Sequence, residues 1–149
     1  MDLRSEAFAS GHPIPRRFSR EGADLSPPFE WEDVPEAAES LVILCEDPDA
    51  PGEQPFVHWL VYNILADGSA LPEGGPIPGS EGTNDFDERG YGGPMPPPDH
   101  GPHRYEFRLY AVDRRLDLGP GASREELLRA MEGHALGQSE WVGLYERGG

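Results

Sequence analysis

The chain has no lysine; all 12 of its basic residues are arginine. It has one cysteine, Cys45, which excludes an internal disulfide and any metal site built from several thiolates. No apolar run approaches the roughly 18 residues that span a membrane as a helix, and no charged-then-apolar leader opens the sequence. A cytoplasmic protein with no integral membrane association is therefore expected. Bases are outnumbered by 28 acidic residues, leaving a formal charge of −16. A field of that sign repels nucleic acid and anionic bilayers at long range, so any anion that binds must do so in a local pocket of donors. The acidity would also suit a high-salt cytoplasm. No nucleophile elbow and no HExxH motif occurs, and nothing calls for a cofactor or a resident metal.

What is abundant is turn chemistry. The 19 glycines and 17 prolines lie between hydrophobic runs as punctuation. With 149 residues this implies a single domain spanning 1–149 with many loops. Residues 1–23 read as an extended arm or short edge strands, and Leu25 to Trp31 as a loop feeding a short strand with Trp31 in the core. Ser40–Glu46 is apolar and partly β-branched, as a buried strand requires. Phe56–Ile64 is apolar on both faces and reads as a central strand. Strict alternation groups His58, Leu60, Tyr62 and Ile64 on one face, with Val57, Trp59, Val61 and Asn63 on the other. Residues 65–90 form a long polar stretch, functional or mobile, with a tight turn near Asn84, a candidate for positive φ. Tyr105–Val112 alternates core and solvent, and His103 shares the parity of Tyr105. One helix is expected over about Arg124–Glu132, opened by a capping box of Ser123 and Glu126 and ended by Gly133. Glu140–Tyr145 reads as a last strand. The class is mainly β.

Three segments could carry chemistry. In Asp47-Pro48-Asp49-Ala50-Pro51 the prolines restrict the backbone, and Asp47 and Asp49 could project together; composition alone favours two solvated turn carboxylates. His58 sits on the central strand, where a buried imidazole needs a partner for each nitrogen, and a carboxylate from the preceding turn is near in sequence. In Gly92-Gly93-Pro94-Met95-Pro96-Pro97-Pro98 the glycines permit close approach, and the amides of Gly93 and Met95 could aim at one point, as in an anion-binding nest; the plain alternative is a proline-rich surface loop.

Taken together, Asp47-Pro48-Asp49-Ala50-Pro51, His58-Trp59-Leu60-Val61-Tyr62-Asn63-Ile64, Gly90-Tyr91-Gly92-Gly93-Pro94-Met95-Pro96-Pro97 and Gly101-Pro102-His103-Arg104-Tyr105 strongly resemble the phosphatidylethanolamine-binding protein family, in particular its bacterial and archaeal branch related to Raf kinase inhibitor protein. The resemblance runs from about Phe8 to Tyr145. It implies an antiparallel β-sandwich of Greek-key type with one or two short helices. It also implies a site for a phosphate-type anion, such as a phospholipid head group, a phosphorylated ligand or a small anion. The matching positions are Asp47, His58, Gly93, Pro94, Met95, Pro96, His103 and Tyr105, with Asp49 in support. Met95 departs from the cysteine or glycine usual there. The eukaryotic C-terminal helix looks missing, which weakens the case for a kinase or protease partner; the resemblance suggests a homodimer only weakly.

The residues fit such a role if Asp47 accepts from one nitrogen of His58, fixes its tautomer and raises its pKa, so that the other nitrogen donates to the ligand. Anion affinity would then weaken as pH rises through the histidine pKa. The rival reading is a metal-dependent or acid–base hydrolase using Asp47, Asp49, His58 and His103. His100 is a candidate for the rim, and Tyr91 for the pocket wall.

Overall fold

A computed structural model describes residues 1–148. In chain order its elements are β1 (Asp2–Arg4), β2 (His12–Pro13), a 3-10 turn (Arg16–Phe18), β3 (Phe29–Glu32), β4 (Ser40–Asp47), β5 (Phe56–Leu65), β6 (Ala70–Leu71), β7 (Ser80–Glu81), β8 (His103–Val112), α1 (Arg124–Met131) and β9 (Ala135–Tyr145). The chain is mainly β, as expected. Six strands form one sheet in the order β2-β9-β8-β4-β5-β7, and β1-β3-β6 form a smaller one. All pairs are antiparallel except β2 with β9, which is parallel. β8 comes more than fifty residues after β4 in the chain yet lies beside it, which is the long return of a Greek-key arrangement.

The most apolar strands are central because both their faces are covered. β4 is buried throughout. On one side Ile43, Trp59, Val61, Phe107 and Leu109 pack with Leu3, Phe29, Trp31 and Leu71 from the small sheet. On the other side Val42, Leu44, Leu60, Tyr62 and Val112 pack with Leu127 and Met131 of α1. The helix is capped as its sequence requires: Ser123 accepts from the Glu126 amide and Glu126 reaches back to the Ser123 amide.

Two irregularities in β5 break the simple alternation. Cys45 pairs with Trp59 and Glu46 with Val57, so His58 is an extra residue in the ladder. A bulge of this kind re-aims side chains. His58 leaves the face of Leu60 and Tyr62 and meets Tyr105 instead. A second shift lies between the Leu41 and Ile43 pairings, where Asn63 adopts φ 56. Beyond it Ile64 joins Trp59 and Val61, not Tyr62 as strict period-2 reasoning had it. The 65–90 stretch carries β6 and β7 and folds back on the sheets. Its non-glycine residue with positive φ is Asp87, not Asn84. The Asn84 carboxamide instead accepts from the amides of Phe86 and Glu88.

Candidate functional site

The bulge places His58, almost fully buried, at the end of β5 beside the mouth of β8. Its backbone and side chain both bind Gly92: the Gly92 amide donates to the His58 carbonyl at 2.9 Å, and Nδ1 of the imidazole lies 2.6 Å from the Gly92 carbonyl. A carbonyl only accepts, so Nδ1 carries the proton. The ring is walled by Phe56, Phe86 and Tyr105, with centroids 5.0, 5.5 and 5.1 Å away. Burial pushes the imidazole down to about 4, against the opposing pull of the Gly92 carbonyl, the Asp47 carboxylate and the Gly93 carbonyl. The expectation that Asp47 accepts from His58 and leaves its pKa raised is corrected here, although the carboxylate does pull upward. Asp47 is not hydrogen-bonded to His58, and desolvation outweighs its field.

Asp47 pairs instead with the other histidine. Its Oδ2 lies 2.6 Å from Nδ1 of His103, and its Oδ1 accepts from the Asp49 amide. Nε2 of His103 lies 2.5 Å from Nδ1 of His100. Both nitrogens of His103 are therefore engaged, and His103 contributes the body of its ring to the site. His100, named for the rim, acts from behind His103 as its second partner.

Asp49 does not converge with Asp47. Its carboxylate grips the backbone amide and guanidinium of Arg104 at 2.9–3.0 Å, and Arg104 holds it down to about 2. Asp49 is thus a clasp between the β4–β5 turn and the start of β8. Its assignment to the ligand is corrected, and the four-residue set of the hydrolase reading is not assembled in one place. Among the described residues no group of three or more His, Cys, Asp or Glu side chains is placed to hold a metal ion.

The glycine-proline turn also divides. A Cβ on Gly92 would sit 2.5 Å from the Phe86 ring, and one on Gly93 would sit 2.3 Å from the Phe18 carbonyl, so only glycine fits either position. The Gly93 amide donates to Asp24 Oδ1 at 2.7 Å, and the Pro94 carbonyl accepts from the Arg20 amide. Gly93 and Pro94 therefore shape the back of the turn and offer no donor to the pocket. Met95 is exposed at the rim, and its N–H meets no protein acceptor among the described residues. The opposite wall is braced as well. Asp85 accepts from the Val57 amide that the bulge frees, and the Arg20 guanidinium stacks 4.1 Å over Phe86.

The result is a pocket of about 160 Å³ lined by Asp47, Ala50, Pro51, Phe56, His58, Phe86, Met95, Pro96, Pro97, His103 and Tyr105. The usual ligand cavity is about 300–1,000 Å³, so this one suits a small head group and not an acyl chain. Tyr105 lines the pocket, and its hydroxyl is buried beside the Asp47 carboxylate without a hydrogen bond of normal geometry among the described residues. Burial and the Asp47 carboxylate hold that phenol well above its usual range, so it stays an O–H donor. Of the proposed residues, Asp47, His58, Met95, Pro96, His103 and Tyr105 meet here. Sequence reasoning missed Phe56, Phe86 and the Asp24–Gly93 contact. Phe56 could have been found from its place two residues before His58, and the other two carried no local signal. Tyr91 is not on the wall. It packs edge-on against Trp59 and donates to the Phe18 carbonyl.

Comparison with known proteins gives a consistent answer. The profile of the phosphatidylethanolamine-binding protein family matches residues 4–146. A protein of Methanothermobacter thermautotrophicus described as a UPF0098 protein is 48% identical, over 99% of this chain and 100% of its own. The crystal structure of a phosphatidylethanolamine-binding protein homologue from Chlamydia trachomatis superposes with a TM-score of 0.93 at 43% identity, covering 98% of this chain and 97% of that one. Escherichia coli YbcL, described as a member of the mammalian family, superposes with a TM-score of 0.91 at 27% identity, with 97% of each chain covered.

Proposed function

The chain belongs to the phosphatidylethanolamine-binding protein family, and from that premise we propose that it is a binding or regulatory protein, not an enzyme, whose pocket at the end of β4, β5 and β8 holds a small phosphate-type oxyanion. The single observation that carries this reading is the orphaned Tyr105 hydroxyl. A buried hydroxyl left without a partner costs about 1–3 kcal/mol, a cost that a bound ligand oxygen removes. The pocket's size favours a head group or free anion over a lipid tail. Its apolar collar of Pro51, Phe56, Phe86, Met95 and Pro97 excludes water around the polar floor, which strengthens the few hydrogen bonds made there.

The reading is tested by titration calorimetry with inorganic phosphate at neutral pH. Saturable one-to-one binding is expected, weakened about tenfold by Tyr105→Phe, the equivalent of one lost hydrogen bond. No heat of binding, or equal affinity in the variant, would overturn it.

A further inference from the structure

We infer that His100, which lies outside the pocket, is a positioning residue for anion binding: with His103 and Asp47 it forms a relay that brings one proton from solvent to the pocket wall, so that affinity for an oxyanion rises as pH falls. The inference deepens the anion-binding reading and rests on it.

The direction of each bond in the relay follows from what its ends can do. Asp47 Oδ1 accepts from the Asp49 amide at 2.8 Å, Oδ2 lies 2.6 Å from His103 Nδ1, and the Tyr105 hydroxyl stands beside the same carboxylate. An amide only donates, and burial keeps the phenol protonated. Asp47 is thus surrounded by donors, and His103 Nδ1 carries a proton toward it. A neutral imidazole has one N–H, so His103 Nε2 presents a lone pair. His100 Nδ1, 2.5 Å away, must then donate to it, which leaves His100 Nε2 bare. That nitrogen has no partner among the described residues. His100 is exposed, whereas His103 and Asp47 are only 2% and 3% exposed. The atom at which the relay takes a proton from water is therefore His100 Nε2.

A proton bound there turns His100 into a cation. If the Nδ1 proton then crosses to His103 Nε2, His100 is neutral again and the charge sits on His103, in a charge-assisted pair with Asp47. One proton has entered, one has moved between the rings, and the bond to Asp47 is kept. A second proton is resisted, because the two ring centroids are 4.8 Å apart and both rings would be cationic. Asp47 and His103 both line the pocket. Without the added proton the wall carries the uncompensated Asp47 charge, which repels an oxyanion; with it the wall is neutral.

The surroundings favour this exchange. Asp49, in the turn after β4, adds a second negative field at His103, though it is paired with Arg104. Tyr145, opposite His103 in β9, has its hydroxyl engaged by Glu21. Asp99 precedes His100 in the chain. His58, on the pocket side, does not compete, because burial drives it down to about 4. The imidazole that gives the pocket its pH response is therefore not the one on β5.

Two measurements test the inference between about pH 5 and about pH 8, where imidazoles exchange protons. The first is a nitrogen-15 histidine titration of the free wild-type protein. The His100 and His103 signals should move together, with one midpoint and one proton taken up by the pair. Two independent midpoints, or a His103 ring that does not respond, would overturn the relay. The second is calorimetry with inorganic phosphate on the wild-type protein and on His100→Gln, which keeps a donor for His103 and has no proton to take up. The titration of phosphate itself is common to both proteins and cancels in the ratio of their affinities. That ratio should lie within about twofold of one at pH 8 and grow to about tenfold in favour of wild type at pH 5, an ordinary size for a coupling between two sites. A flat ratio would overturn the role of His100 and leave the anion site standing. If the wild-type protein binds no phosphate at any pH, the anion reading falls and takes the pH role of His100 with it, while the titration still decides whether the relay exists.

Discussion

β5 carries a buried polar residue near each end, and the two ends are finished differently. At the far end Asn63 donates to the Leu116 carbonyl at 2.9 Å and accepts from the Leu116 amide at 2.7 Å. Its neighbour Tyr62 donates to the Gly119 carbonyl and accepts from the Ala122 amide. Every polar atom there is answered by this chain's own backbone, and the outcome is a fixed loop between β8 and α1. At the near end His58 uses one nitrogen, and the Tyr105 hydroxyl has only the Asp47 carboxylate beside it, without a hydrogen bond of normal geometry. Both ends are bulged and both are buried. What separates a structural polar site from a binding site is therefore whether the protein completes its own hydrogen bonds.

This contrast can be broken in graded ways. The largest effect belongs to the completed end. Asn63→Ala removes both bonds to Leu116 and puts an unsuited side chain at φ 56, so denaturant unfolding should show a loss of about 2–4 kcal/mol. A loss below about 0.5 kcal/mol would mean that the site is not structural.

Acid should act next, and through the other end. The folded-state pKa of His58 is near 4, below the usual value of about 6.5. The unfolded chain therefore binds the proton first. Stability is intact above about pH 6.5 and falls as pH drops toward 4, by up to about 3 kcal/mol. His58→Phe should flatten this stretch of the stability curve; an unchanged slope would move the cause to other groups.

Paired tyrosine variants give the sharpest test of the comparison with the smallest perturbation. Tyr62→Phe leaves the Gly119 carbonyl and the Ala122 amide without a partner and should cost about 1–2 kcal/mol. Tyr105→Phe removes a buried hydroxyl that lacks a well-formed bond and should leave stability unchanged or raise it by up to about 1–3 kcal/mol. Equal costs would erase the distinction drawn here.

The fold was legible in the sequence wherever period and punctuation agreed. Ser40–Glu46, Tyr105–Val112 and the capped helix from Arg124 all stand where their patterns put them. The family motifs, read together, pointed to the right fold and brought Asp47, His58, His103 and Tyr105 to one pocket. What the pattern could not convey was the pair of bulges in β5, because alternation assumes a ladder without extra residues. The choice of partners was equally hidden. Asp47 and His58 are close in sequence, yet the carboxylate goes to His103, fifty-six residues away, once Gly92 has taken the His58 ring. Asp49 looked like a twin of Asp47 and turned to Arg104, a pairing that depends on how β8 enters the sheet.

The most direct test of the binding account is a nitrogen-15 histidine spectrum of the protein at neutral pH, recorded as inorganic phosphate is added. The account predicts that free His58 shows a proton on Nδ1 and a bare Nε2, and that phosphate shifts the His58 signals saturably in the wild-type protein and far more weakly in Tyr105→Phe. A His58 ring protonated on Nε2 from the start, or signals that do not move with phosphate, would contradict it.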